Sequence, residues 1–362
     1  MLAEGQADRE TGRLVTADDP VRIASISKLV TALGVMRMVD RGQLDLDSDV
    51  SDYLGWTLRN PHYPERPITL RLLLSHQSSL IDGDDLYIVP LGVTLRERLA
   101  DPRVWETTHA PASGWFHYSN INFPVVASVM ERVSGERFDA LMARLVLKPL
   151  KLDACFNWGA GCSARAVARA VVLYRASGEV ARDDLKGLLP ACLVVPSASG
   201  SCDVGGFTAG WNGALFSPQG GLRISMLDLA KIGQMLARGG KGFLSPTAFA
   251  ELIQPRWRFD GSNGVGENGL GDGFFCVFGL AVQQIGSRGG HCRDDLYGDG
   301  TARFGHAGSA YGLVSGLWWD PVSGKGTAYF TSAVPDDAPG RRSAFMLPEE
   351  DLVDRIPGPQ GK

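Results

Sequence analysis

The sequence predicts a mixed α/β (α+β) fold: an antiparallel sheet flanked by helices, with an all-helical domain inserted. Three observations point there. Apolar residues recur at helical spacing in segments as far as about residue 240. After about residue 274 the pattern changes to runs rich in Val, Phe, Tyr, Trp and Thr, punctuated by glycine. The 362 residues are 44% hydrophobic, enough for one large domain or two interleaved ones.

The elements follow in chain order. "AEGQADRETGRLV" reads as the end of a strand and its turn. Residues 23–41 read as a helix, with Leu29, Ala32, Leu33, Met36 and Val39 at helical spacing and Gly42 past the end. Further helices are expected at 67–76, opened by Pro67 and Thr69, at 120–135, stopped by Gly135, and at 137–150, ended by Pro149. A fifth spans 224–240, with Ser225 as N-cap and Gly239 beyond the last turn. "FFCVFGLAVQQIG" (274–286) and "YGLVSGLWWDPVSGKGTAYFTSAV" (311–334) read as strands, and "DPVSGKG" as a hairpin loop. The glycine-rich segment 260–273 neither follows a strand nor opens a helix, so it reads as a solvated loop. The expected division is a sheet domain of 1–45 plus 215–350, a helical domain of 46–214 and a tail of 351–362.

Composition excludes several classes of function. The net charge is −4 and no Lys/Arg run stands out, which argues against a nucleic-acid partner. No apolar run approaches the ~18 residues of a membrane span. The N-terminus shows no charged segment followed by an apolar one, so no signal peptide is visible. The six cysteines fall as close pairs, Cys155 with Cys162, Cys192 with Cys202 and Cys276 with Cys292. None has metal-site spacing, and no metal or organic cofactor is expected. Two readings stay open: disulfides in a periplasmic or secreted protein, or free thiols in a cytoplasmic one.

The chemistry starts at "RIASISKLVTALGVM". Ser25 and Lys28 stand three residues apart at the start of the first helix, so their side chains share a face. With 26 serines and eight lysines, one S-x-x-K arises by chance about as often as not, and this is the only one. Its placement adds weight. A helix N-terminus supplies free N–H groups and partial positive charge, which favour an oxyanion. A lysine withdrawn from water accepts a proton more readily. There is no G-x-S-x-G elbow and no H-E-x-x-H helix, and His62, His76, His109, His117, His291 and His306 form no triad pattern.

Two more motifs follow in order. Tyr118-Ser119-Asn120 precedes a helix, and His306-Ala307-Gly308 precedes a strand-like run. With "IASISK" they resemble the three motifs of the serine β-lactamase and penicillin-binding protein superfamily. The resemblance is strongest to its class C branch, with the family VIII carboxylesterases and the D-alanyl-D-alanine carboxypeptidase type. It covers roughly residues 5 to 335, with lesser echoes in "LLLSHQSSL", "GQLDLDSDVSDYL" and "GGLRISMLDLAKIGQML". It implies a β-lactamase/transpeptidase-like fold and acyl transfer through an acyl-enzyme. By the same resemblance Ser25 is the nucleophile, Lys28 takes its proton or holds the charge of the network, and Tyr118 is the general base that later returns a proton to the leaving group. Asn120 would bind the acyl side of the substrate, beside His306 and Gly308. The backbone N–H groups of Ser25 and Ser309 would form the oxyanion hole.

Departures from the pattern suggest the substrate. The third motif usually reads Lys-Thr-Gly, and that Lys and Thr grip a carboxylate. Here His306 is mostly neutral at pH 7 and Ala307 has no hydroxyl. An uncharged small-molecule ester does not miss that grip, so a carboxylesterase is expected. The alternatives are a peptidase or amidase on D-amino-acid compounds, a weak class C-like β-lactamase, and a non-catalytic peptidoglycan-binding or scaffold relative. The resemblance also implies a first strand that this sequence does not show: either the start was called late or the sheet has lost an edge, and a truncated sheet is expected to lower stability or pair two copies into a homodimer. His76 reads as a hydrogen-bonded structural residue, and His117 and Trp115 as cleft-lining or buttressing. Trp211, Asn212, Tyr311, Trp318 and Trp319 read as pocket wall or core, and Asp84-Asp85, Asp183-Asp184 and Asp294-Asp295 as solvated surface.

Overall fold

A computed structural model describes residues 2–266, 269–270, 273–287 and 289–355. Residues 267–268 and 271–272 of the glycine-rich segment, and 356–362 of the expected tail, lie outside the described residues. The main sheet has six strands: β1 (Trp257–Arg258), β2 (Val277–Phe278), β3 (Gln283–Ile285), β4 (Arg303–Ala310), β5 (Leu313–Asp320) and β6 (Lys325–Thr331). Their spatial order is their chain order, and every neighbouring pair is antiparallel. Short connections join β2 to β3, β4 to β5 and β5 to β6. β4 and β5 are joined at Tyr311-Gly312, both at positive φ (57° and 74°), the conformation of a tight two-residue hairpin.

Five helices matter for the site: α1 (Ile26–Asp40), α2 (Asn122–Ser134), α3 (Met226–Ala237), α4 (Pro246–Ile253) and α5 (Leu347–Asp354). α1 is buried on nearly all sides, as befits a helix apolar all round. It packs against β4 and β5 on one side and against α2 and α4 on others, while α3 covers β5 and β6. The Ser225 side chain caps α3 by accepting from Asp228 N–H, and Gly135 ends α2 at φ 72°. The expected helix at 67–76 shrinks to Leu70–Leu74, capped by Thr69. The one at 137–150 becomes Phe138–Met142 followed by a wider turn over Ala143–Leu147.

A small sheet escaped sequence analysis. Val21–Arg22 pairs with Leu222–Ile224, which also pairs with Cys155–Phe156. It ties the chain just before Ser25 to the segment around Gln219. Gln6–Asp8 and Arg13–Leu14 pair only with each other, and among the described residues β6 is paired on one side alone.

Each cysteine pairs with its sequence neighbour: Cys155–Cys162, Cys192–Cys202 and Cys276–Cys292. Trp318 and Trp319 are fully buried core residues, whereas Trp211 is exposed. Asp294 corrects the surface reading of the paired acids: it is buried and accepts from the N–H and hydroxyl of Ser287, and burial raises its pKa to about 7.

Candidate active site

Ala24, at φ 47°, turns the chain from the Val21–Arg22 strand into α1. Ser25 follows as the first residue of the helical turn, at φ −67°, ψ −11°, and its hydroxyl makes no capping hydrogen bond. The hydroxyl instead accepts from Lys28 Nζ at 2.9 Å. The same ammonium donates to Asn120 Oδ1 at 2.7 Å and to the Gln219 carbonyl at 3.3 Å. Lys28 is fully buried, with Nζ 4.7 Å from the centroid of the Tyr118 ring and 5.7 Å from that of Phe123. One turn of α1 thus sets the Ser25 hydroxyl and the Lys28 amine on a common face, and the segment before α2 brings in Asn120 and Tyr118.

Tyr118 is packed between aromatic neighbours and the Lys28 amine. His76 stacks on it at 4.5 Å between centroids and Phe275 at 4.7 Å. His76 Nδ1 accepts from the Ser119 N–H at 3.0 Å, which assigns the ring proton to Nε2. Burial, reinforced by the Lys28 charge, holds the His76 pKa well below its ordinary value, so the ring stacked on Tyr118 is neutral.

His306 is neutral too. Burial and then the Lys28 charge push its pKa down to about 3, and its Nδ1 donates to the Ala307 carbonyl at 2.5 Å. The next residue on β4 but one, Gly308, allows a close approach. A Cβ there would lie 2.4 Å from Ile23 O, 2.5 Å from Ser315 Oγ and 3.2 Å from Ser25 N. Only glycine lets β4 run this near the start of α1.

Ser25, Tyr118, His306, Gly308 and Ser309 line one cleft of about 390 Å³. Of the other sequence candidates, His117 faces Glu106 at 3.4 Å, Trp115 stacks on His109 at 3.7 Å, and Asn212 donates to the carbonyls of Val89, Pro90 and Val93. Asp183 is no solvated surface residue: it is paired with Arg223 in the interior.

Sequence reasoning missed Asp82. Its carboxylate accepts from Asn120 Nδ2 at 2.8 Å, Ser119 Oγ at 3.1 Å and Ile121 N at 2.9 Å. It also missed Phe275, which lies between the second and third motifs and belongs to neither.

A family model described as Beta-lactamase matches residues 2–346. The chain belongs to the Beta-lactamase family. This family member is 34% identical over 171 residues to esterase EstB of Burkholderia gladioli, 42% of either chain. It is 30% identical over 152 residues to penicillin-binding protein 4 of Amycolatopsis lactamdurans, 42% of this chain and 39% of that one. The matched stretches thus span about two fifths of these relatives' lengths. The fold is shared with a class C β-lactamase from Rhodobacter sphaeroides, with a TM-score of 0.64, 18% identity, and coverage of 97% of this chain and 87% of that one. Among the described residues no helix is long and apolar enough to cross a membrane.

Proposed function

We propose that the protein is a serine hydrolase working through an acyl-enzyme, with small carboxylic esters as substrates. The observation that carries the reaction type is the Lys28 ammonium 2.9 Å from the Ser25 hydroxyl, in a cleft that also holds Tyr118. Ser25 Oγ attacks the ester carbonyl and its proton passes to the Tyr118 phenolate, which the neighbouring Lys28 ammonium stabilises. The oxyanion forms against the N–H groups of Ser25 and Ser309. The Tyr118 hydroxyl protonates the leaving alkoxide, and water then releases the acid and restores Ser25.

The ester preference rests on the third motif. A neutral His306 and the methyl of Ala307 stand where a carboxylate grip would need a cation and a hydroxyl. A peptidase or amidase on D-amino-acid compounds is the second reading. A D-stereospecific amidohydrolase from Streptomyces shares the fold at a TM-score of 0.60 and 19% identity. Two copies joined through the open β6 edge would form a homodimer.

The deciding experiment labels the protein with a fluorophosphonate and compares turnover of p-nitrophenyl butyrate with that of a chromogenic cephalosporin. Labelling lost in Ser25→Ala, with faster ester turnover, is expected. Labelling that survives the substitution ends the nucleophile assignment, and a cephalosporin turned over orders of magnitude faster ends the ester preference.

A further inference from the structure

The surroundings of Tyr311 hold more positive charge than the protein neutralises. The Arg22 guanidinium lies 5.0 Å from the Tyr311 ring centroid and that of Arg182 lies 4.8 Å from it. Arg182 Nη2 donates to the Tyr311 hydroxyl at 3.3 Å. Arg223 stands nearby, but it is satisfied: it donates to both oxygens of Asp183 at 3.1 and 2.9 Å, and also to Asn157 and Gly221. That pairing occupies the neighbouring carboxylate. Among the described residues nothing accepts a hydrogen bond from Arg22, and its Nε is buried without a partner. A guanidinium so placed has five donors shaped for a planar anion and none of them used.

We propose that Arg22, Arg182 and the Tyr311 hydroxyl form a subsite for a carboxylate at the far end of the substrate's acyl chain. The proposal rests on the acyl-transfer reading above and names its substrate class: half-esters of dicarboxylic acids, or acyl groups ending in an equivalent anion. Position supports it. Gly308 on β4 lies against Ser25, and Tyr311 follows three residues later, against Arg22. At roughly 3.3 Å per residue that is about 10 Å from the nucleophile, the reach of an extended medium-length chain. The cleft extends this way to Ser309 and Val314. The same cleft is also lined by Asp336, Asp337 and Glu349, which disfavour an anion beside them. The guanidinium pair thus supplies a carboxylate grip some distance from the one that the His306-Ala307 motif lacks.

The test has two arms. In the first, p-nitrophenyl monosuberate and p-nitrophenyl butyrate are compared at low ionic strength. The wild type is expected to favour the monosuberate by about tenfold or more in kcat/KM, the equivalent of one charge-assisted pair. That ratio should fall towards unity in Arg22→Gln and, should this variant fold poorly, in the exposed-site variant Arg182→Gln. In the second arm, the Ser25→Ala protein is melted with pimelate or hexanoate. Pimelate alone should raise the melting temperature, and the rise should vanish when Arg182→Gln is added. Equal turnover of the two esters without a pimelate shift overturns the subsite, as does a preference that survives both arginine variants. The melting arm needs no turnover, so it decides the subsite even where fluorophosphonate labelling refutes Ser25 as nucleophile.

Discussion

Asp82 accepts the Asn120 side-chain amide at 2.8 Å, and the other end of that amide faces the Lys28 ammonium at 2.7 Å. An amide can point either way, and the carboxylate chooses the orientation that offers oxygen to the amine. Asp82→Asn removes this preference by setting one amide against another. We expect kcat/KM for an ester to fall about 10- to 100-fold, as befits the loss of a hydrogen bond to a charged group worth about 1.5–3 kcal/mol. The fall should lie in kcat rather than KM. Ser119→Ala removes another donor to Asp82 while leaving the amide oriented, and it should change kcat/KM far less. Equal losses in the two variants would make Asp82 a merely structural residue.

Gly308→Ala forces a methyl to within 2.4 Å of the Ile23 carbonyl and 3.2 Å of the Ser25 N–H. Backbone cannot give way there without moving β4 off α1. The expected outcome is a folded protein whose fluorophosphonate labelling slows at least about a hundredfold, the scale of a lost oxyanion donor. Labelling at the wild-type rate would show that β4 has no part in the oxyanion site.

The buried histidines give a signed pH dependence. His306 has a pKa of about 3 in the folded protein against an ordinary 6.5, so the unfolded chain binds the extra proton between those values. Its contribution to stability is complete above pH 6.5 and is lost as pH falls towards 3. His76 acts in the same direction. Glu131, raised by burial to about 8, acts oppositely and loses stability as pH rises from its ordinary value towards 8. Melting curves of His306→Gln should therefore depend less on pH below 6.5 than those of the wild type. A histidine NMR titration should show no step for His306 between pH 5 and 8.

Cys276–Cys292 closes a loop of sequence separation 16 directly after Phe275, which stacks on Tyr118. Chain-entropy reasoning gives such a closure roughly 3 kcal/mol. Replacing both cysteines by alanine should lower the melting temperature and also slow ester turnover, because Phe275 loses its anchor. Removing Cys192 and Cys202 in the same way should lower stability without that effect on turnover. Indistinguishable kinetics in the two variants would leave Phe275 without a role in holding Tyr118.

Much of this architecture could be read from residues alone. Apolar spacing announced α1, Gly135 marked the end of α2 and Ser225 the start of α3, and the β-rich C-terminal runs became β2, β3, β5 and β6, whereas β4, which carries His306 and Gly308, was not read as a strand. Ser25, Lys28 and Asn120 were legible because short motifs fix them locally, and their meeting needed only one helical turn and one long-range contact. Asp82 was not legible: nothing in "LIDGDD" distinguishes it from its acidic neighbours, and its role exists only once the loop meets the start of α2. The sheet of Val21–Arg22, Leu222–Ile224 and Cys155–Phe156 was missed for a related reason. Strands of two or three residues carry too few side chains to show a period.

Two features of the turn into α1 work against stability. Ala24 sits in a left-handed conformation that suits glycine better, and Ser25 withholds the hydroxyl that would ordinarily secure a helix start. On the acyl-transfer reading, heat tolerance and turnover pull against each other at this joint. A screen for hardier variants scored on melting alone would be drawn to positions 24 and 25, and its winners there would be durable proteins with a silenced serine.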